Sequence, residues 1–442
     1  MKGKPKVPAG KPVFAKKRPV SAGPTAGVEA AIAKVTPARW AAFEILKLVG
    51  EGKGHSDELL HSARVDALSP EDRNLTTALV MGVLRWQIAL DARVRGLLQR
   101  PEQRLAEPVA IALRMGAFQL LHMDKIPAHA ALSESVELCK AAGEPHAAGM
   151  VNAILRKVAA AQRPGVGVFE STAAFAERLG HPLWMVERWV KVYGREAALK
   201  ICEADQKEPA EGGMFAEAGG DLPQMDDGSR LVAEIAAAAM PGAKRVWDCC
   251  AAPGGKTLIL ARRLGTAEII ASDVSVKRLA QTEARLRRYS YAERVGFEVA
   301  DAADAKGVEG SFDLILCDVP CSGTGTLAGN PEIRHRLKVE ELARQAERQR
   351  AILKGALKRL APGGRLVYST CSLEAEECEG VVDAVADGVR RVSVEELLAE
   401  LGDQGILLNG FEVASMVRGG ALRTLPGVHE GDGFYAVVLE RE

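Results

Sequence analysis

KRVWDCCAAPGGKTLILARRLG, residues 244–265, holds the reading that decides the fold. A short apolar run stops at Asp248, a turn of small residues follows, and from Lys256 the apolar residues recur at helical spacing. Strand, tight turn and helix then repeat down the chain. AEIIASD (267–273), VGFEVAD (295–301), FDLILCDVP (312–320) and GRLVYSTC (364–371) are further strand-like runs. VKRLAQTEARLRRYS (276–290) and VEELARQAERQRAILKGALKRL (339–360) read as helices between them. Such alternation implies an α/β domain with a mostly parallel sheet covered on both faces. DGFYAVVLERE (432–442) closes the chain as an expected edge strand.

Ligands of such sheets bind beyond the carboxyl ends of the strands. Asp248, Asp273, Asp301, Asp318 and Cys371 all fall at or near those ends. The turn ends in Gly-Lys-Thr but is no phosphate-binding P-loop, because Cys250 occupies the position where that motif needs its first glycine. The acids suggest another ligand. Asp273 stands where a carboxylate accepts from ribose hydroxyls, and Asp301 would lie on the adenine side. The loop Cys250-Ala251-Ala252-Pro253-Gly254-Gly255-Lys256 offers little to a pyrophosphate. A nucleoside carrying a cationic sulfonium suits the site.

Residues 36–160 have a different texture. WAAFEILKLV, NLTTALVMGVLRWQIALDARVRGLL, EPVAIALRMGAFQLLHM, SESVELCKAAG and GMVNAILRKVAAA carry amphipathic helical periodicity with no strand pattern. Ser69-Pro70-Glu71-Asp72 and Leu132-Ser133-Glu134 read as helix starts. HPLWMVERWVKVYGREAALKICEA (181–204) is helix-like, and EPAEGGMFAEAGGDLPQMDDGS (208–229) is loop-like.

Composition narrows the class. With 442 residues the chain exceeds one compact core, and no window is apolar for long enough to span a membrane. The formal net charge is zero, yet residues 1–27 carry Lys2, Lys4, Lys6, Lys11, Lys16, Lys17 and Arg18 and no acid. That segment reads as a disordered basic tail, either solubilising or phosphate-attracting. Eight cysteines without regular spacing and without a CxxC pair suggest neither a disulfide framework nor structural zinc. No metal is expected, and free thiols together with an N-terminus lacking a signal core point to the cytoplasm. Cys139, Cys202, Cys249 and Cys317 read as small core hydrophobes, Cys250 as loop-lining, and Cys378 as helical.

Two cysteines remain, Cys321 in LCDVPCSGTG (316–325) and Cys371 in YSTCS (368–372). With DCCAAPGGKT, ASD, MDDGSRLVAEI and the closing LP…DGFYAVVL, these motifs resemble the Fmu/Sun-type (RsmB-like) RNA cytosine-5 methyltransferases. SESVELCKAAG and NAILRK are similar to the NusB-like RNA-binding domain fused to the bacterial small-subunit rRNA members. The likeness spans residues 36–200 and 224–442.

It implies a basic tail (1–35), a NusB-like all-α domain (36–163), and a connector with a shortened RNA-contacting subdomain (164–223). A Rossmann-like class I methyltransferase domain would follow (224–442), with a seven-stranded, mostly parallel sheet and an antiparallel edge strand. It further implies S-adenosylmethionine as cofactor, bound by residues 250–256, Asp273, Asp301 and Asp318. Cys371 would be the nucleophile and Cys321 the group that assists release, with Asp318 on the base and Lys256 close by. The substrate would be RNA, 16S rRNA foremost with tRNA as the alternative, acted on by a monomer. A non-catalytic RNA-binding factor with a vestigial site is the rival in another class. The family has Glu-Asn-Glu after TCS, where this chain has Glu377-Cys378-Glu379.

Overall fold

The computed structural model describes residues 32–161, 170–209, 213–216, 222–385, 387–408, 410 and 412–442. Most of the basic tail, and the connector stretches 162–169, 210–212 and 217–221, lie outside the described residues.

Among the described residues, five longer helices build the N-terminal domain: α1 (Pro37–Gly50), α2 (Pro70–Arg95), α3 (Glu107–His122), α4 (Ala128–Ala141) and α5 (Ala148–Ala160), with short helices at Ser56–Leu60 and Ala63–Asp66 between the first two. Ser69 caps α2 as its sequence position indicates, its hydroxyl accepting from the Asp72 amide at 3.1 Å. Ser133 does not begin a helix. Pro127, extended at φ −62° and ψ 135°, starts α4 one turn earlier, and the alanines at 128, 130 and 131 carry it forward. The apolar stripes meet in one core containing Leu79, Val83, Leu113, Met115, Leu138 and Val151.

The stretch read as one helix from 181 to 204 is two, α7 (Leu183–Tyr193) and α8 (Arg195–Ala204), preceded by α6 (Thr172–Arg178). Gly194 separates them at φ +87°, a conformation other residues rarely adopt. Their core around Phe175, Met185 and Trp189 also takes in Leu327, Leu373 and Leu425 from the C-terminal domain.

That domain opens with α9 (Asp227–Ala239) and winds through β1 (Arg245–Asp248), α10 (Gly255–Arg263), β2 (Glu268–Asp273), α11 (Val276–Leu286), β3 (Val295–Val299), β4 (Phe312–Asp318), α12 (Val339–Leu357) and β5 (Leu360–Thr370). Then come β6 (Val389–Val392), α13 (Val394–Asp403), β7 (Val417–Arg418), β8 (Ala421–Arg423) and β9 (Tyr435–Arg441), with short helices at Ile333–Arg336 and Glu379–Val382 in the loops after β4 and β5. The sheet order is β3-β2-β1-β4-β5-β9-β8-β7, with β6 also on β9. Strands β1 to β5 are parallel and β9 runs antiparallel to β5.

The sheet thus has nine strands rather than seven. The expected edge strand, β9, is interior, with β5 on one side and β6 and β8 on the other. Its burial agrees, since Tyr435 to Leu439 are fully buried. The strands that cover it are three and four residues long, too short to show a period in sequence. The central strands are apolar without alternation because helices cover both faces of the parallel part.

One segment joins the two domains. Arg334 is buried and donates to the carbonyls of Arg85, Gly180, Asp205 and Leu327 at 3.0–3.5 Å. Burial pulls its pKa down to about 10, partly offset by Asp205, so the guanidinium stays charged at neutral pH. Glu332 accepts from the Ser56 amide and hydroxyl at 3.1 and 2.9 Å, and Arg336 binds the Val49 carbonyl at 3.0 Å.

Candidate active site

The first two parallel strands end on their acids, Asp248 and Asp273, and β4 ends on Asp318; Asp301 lies two residues past β3 and Cys371 one past β5. Two adjoining cavities, of about 220 and 240 Å³, open there and share Cys250, Ala252 and Asp318 as walls. The first is lined by Asp273 and Asp301, the second by Ala251, Pro253, Gly254, Gly255 and Lys256. Every residue expected to hold the cofactor thus lines one of the two. A larger cavity of about 460 Å³ lies elsewhere, between the end of α8 and the loop 426–432, and contains none of the residues expected to bind the cofactor or carry the chemistry.

The carboxylates differ. Asp273 is almost fully buried, and one oxygen accepts from the Ser275 amide at 2.8 Å. Asp301 is exposed and accepts from the Ala303 amide at 2.9 Å. Asp248 accepts from the Thr257 hydroxyl at 2.6 Å through Oδ2, while its buried Oδ1 meets no partner. Burial pushes Asp248 up to about 7; the Thr257 bond opposes this and the nearby Asp318 adds to it. A buried carboxylate with an orphaned oxygen, on a residue that lines a cavity of this size, is what a cationic ligand would satisfy. The position fits S-adenosylmethionine, with Asp273 suited to ribose hydroxyls and Asp301 to the adenine side. Asp248 itself is an addition to the expected set, marked in sequence only by its place at the end of β1.

The chemistry gathers around Asp318. Lys256 reaches its Oδ2 at 2.8 Å and the Ser369 hydroxyl donates to Oδ1 at 2.7 Å. Burial works against the Lys256 ammonium, yet the Asp318 charge outweighs it and holds the pKa above the ordinary value. Cys321 and Cys371, 50 residues apart in sequence, have their sulfurs in contact at 3.2 Å. Both are partly exposed, and all eight cysteines are free thiols. The Cys371 pKa is raised by its bond with Cys321 and by burial, with Lys256 pulling the other way. The structure therefore brings Cys371, Cys321, Asp318 and Lys256 to one mouth.

Backbone contacts hold the two cysteine loops together. The Gly325 amide donates to the Cys371 carbonyl at 2.9 Å, and a Cβ on Gly325 would lie 2.2 Å from the Gly433 carbonyl oxygen. Cys378 is not on a helix. It precedes the short helix Glu379–Val382, is fully buried, and its thiol donates to the Ser372 carbonyl at 3.3 Å. Burial pushes its pKa to about 12, so it remains a donor to this loop. Among the described residues no cluster of His, Cys, Asp and Glu suits a metal, and no helix is long and apolar enough to cross a membrane.

Comparison with known proteins agrees with this arrangement. Residues 36–160 match the NusB family and residues 238–440 match the family described as 16S rRNA methyltransferase RsmB/F. The chain is 31% identical to the probable ribosomal RNA small subunit methyltransferase B of Bacillus subtilis, over 92% of this chain and 100% of that protein. It is also 31% identical to ribosomal RNA small subunit methyltransferase B of Xanthomonas campestris, over 91% and 96% respectively. Among solved structures, that of PH0851 shares the fold with a TM-score of 0.67 at 21% identity, over 92% of this chain and 99% of that one. The chain therefore belongs to the 16S rRNA methyltransferase RsmB/F family.

Proposed function

We propose that this protein methylates carbon 5 of a cytosine in 16S ribosomal RNA, with S-adenosylmethionine as donor, acting as a cytoplasmic monomer. The observation that carries the reading is the Cys321–Cys371 contact beside the Lys256–Asp318 pair. Cytosine carbon 5 is a weak nucleophile, and addition of a thiolate at carbon 6 gives an enamine-like ring whose carbon 5 is reactive. Cys371 makes that addition as thiolate, its proton having passed to solvent before the sulfur–carbon bond forms. Lys256 favours the thiolate by charge once Asp318 turns to the polar edge of the base. S-adenosylmethionine, when bound, supplies an electrophilic methyl group to the activated carbon. Collapse then needs the carbon 5 proton removed; the freed electron pair restores the ring double bond and Cys371 departs as thiolate. Cys321, touching Cys371 and acting as thiolate after giving its own proton to solvent, takes that proton. Asp318 steadies the base throughout.

The helical domain and the basic N-terminal residues grip RNA phosphates, and the affinity falls with salt accordingly. The test is bisulfite sequencing of total RNA from a deletion strain complemented with wild type or Cys371→Ala. A single 16S cytosine should lose its mark, restored by the wild type alone. Loss of a tRNA mark instead would move the substrate to tRNA. An unchanged map would favour the RNA-binding factor without catalysis.

A further inference from the structure

We propose that Glu377 is the positioning residue that sets the distance between the two reacting thiols. The proposal rests on the roles given above to Cys321 and Cys371, and adds how their spacing is enforced.

Each cysteine is followed by a serine, and both serines bind the same carboxylate. Ser322 gives Glu377 its amide at 3.0 Å and also its hydroxyl, while the Ser372 hydroxyl donates at 2.5 Å. The two hydroxyls also lie 3.1 Å apart. Glu377 is fully buried, as are Ser372 and Gln349. Gln349, on α12, donates both to Glu377 and to the Pro320 carbonyl at 3.0 Å, and the Tyr368 hydroxyl holds the Glu377 main-chain carbonyl at 2.7 Å. The loop after β4, the loop after β5 and helix α12 thus converge on one side chain, while strand β5 holds the main chain of the same residue.

Four donors on two oxygens satisfy a carboxylate in a place where an unpaired charge would be costly. An apolar residue of similar size would fill the space without tying Ser322 to Ser372. The position of the bonds matters as much as their number. They fall on the residues directly after the two sulfurs, so a small opening there moves the sulfurs apart. Gly325 and Thr324 also stitch the loops, with Thr324 accepting from the Leu373 amide at 2.9 Å. Loss of Glu377 is thus expected to widen the gap while the fold persists. The outer framework is separate: Arg188 and Trp189 of α7 hold Glu374, and Tyr193 donates to the Leu373 carbonyl at 2.6 Å.

The test reads the gap directly. Diamide converts two thiols to a disulfide by taking their two hydrogens onto its nitrogen–nitrogen double bond, so the rate of Cys321–Cys371 closure, followed by mass spectrometry, reports how often the sulfurs meet. Glu377→Ala should slow closure about tenfold and slow release of methylated RNA from its covalent link to Cys371 about 100-fold, so that the adduct accumulates in denaturing gels, with the KM for RNA and the affinity for S-adenosylmethionine within about twofold of wild type. Glu377→Gln, which keeps the shape and can turn its amide nitrogen toward the two hydroxyls, should recover most of both. If Glu377→Ala fails to fold, the double variant Ser322→Ala, Ser372→Ala is read in its place, with a loss of about tenfold in each rate expected. Wild-type rates in whichever variant is read overturn the proposal, and so does slower closure with undiminished release of methylated RNA. Closure that depends on Glu377 in a protein that methylates no RNA would leave the spacing role standing and refute the proposed reaction.

Discussion

Strand β4 and the turn that follows it carry two cysteines, four residues apart, with opposite fates. Cys317 lies within the ladder, paired in register with Tyr368, and is fully buried in the core with Cys249. Cys321 lies three residues beyond the last paired position, Asp318, where the chain has left the sheet for a polar turn. Cys371 follows the last paired residue of β5 in the same way. The sulfur is the same atom in each case. Inside the ladder it is packing; just past the ladder it can meet a partner and a substrate.

The sharpest attempt to break this contrast is to remove each outer thiol. Cys371→Ala should lower the methylation rate on the order of 10⁵-fold and leave no RNA attached in denaturing gels, as expected for loss of a nucleophile. Cys321→Ala should instead accumulate protein covalently joined to methylated RNA through Cys371, absent in the double variant. An adduct on Cys371→Ala would reverse the two roles. Next in size, Asp318→Asn should reduce single-turnover methyl transfer by roughly 10²–10³-fold, since it weakens the pairing of Lys256 and the hold on the base. A rate within a few-fold of wild type would remove Asp318 from the chemistry.

Asp248 tests whether the floor of the site is built for a cation. Its folded pKa of about 7 lies above its ordinary value of 3.8, so between these pH values the folded state keeps a proton that the unfolded chain has lost. Its contribution therefore favours folding below about pH 4 and is lost as the pH rises through 7. Thermal scans should show the Asp248→Asn variant gaining on the wild type across that window. Calorimetry should show S-adenosylmethionine binding strengthen over it in the wild type alone. Parallel curves for the two proteins would refute the assignment.

Cys317→Ser probes the inner pair: a hydroxyl in that apolar core should cost about 1–3 kcal/mol of stability and leave the rate at permissive temperature unchanged. Asp273→Ala should weaken S-adenosylmethionine binding by roughly 1–3 kcal/mol through loss of an acceptor, and unchanged affinity would sink the ribose assignment.

The division between ladder and turn also explains what was legible in sequence. Strand ends are visible because an apolar run stops, so Asp273, Asp318 and Cys371 could be named from the chain alone. The lengths of β1 to β5 and the helices between them carry enough period to give the parallel half of the sheet. The antiparallel half was partly hidden. Strands of two to four residues have no period, so β9 looked like an edge until β6 and β8 were found beside it. Asp248 and Glu377 were missed as functional groups for another reason. What singles them out is an unmatched oxygen in one case and four donors from distant segments in the other, and neither is a property of neighbouring residues.

The docking of Arg334 onto four carbonyls drawn from both domains and the connector has a further consequence. With Glu332 and Arg336 seated on the first helices of the N-terminal domain, that domain is not an arm swinging on a tether. Its offset from the thiol pair is fixed by the fold. If it grips RNA, the enzyme works as a caliper, with jaws set at one opening. A cytosine would then be chosen by its distance from the gripped element in folded RNA as well as by the letters around it, and a transcript with the right sequence in the wrong shape would be passed over.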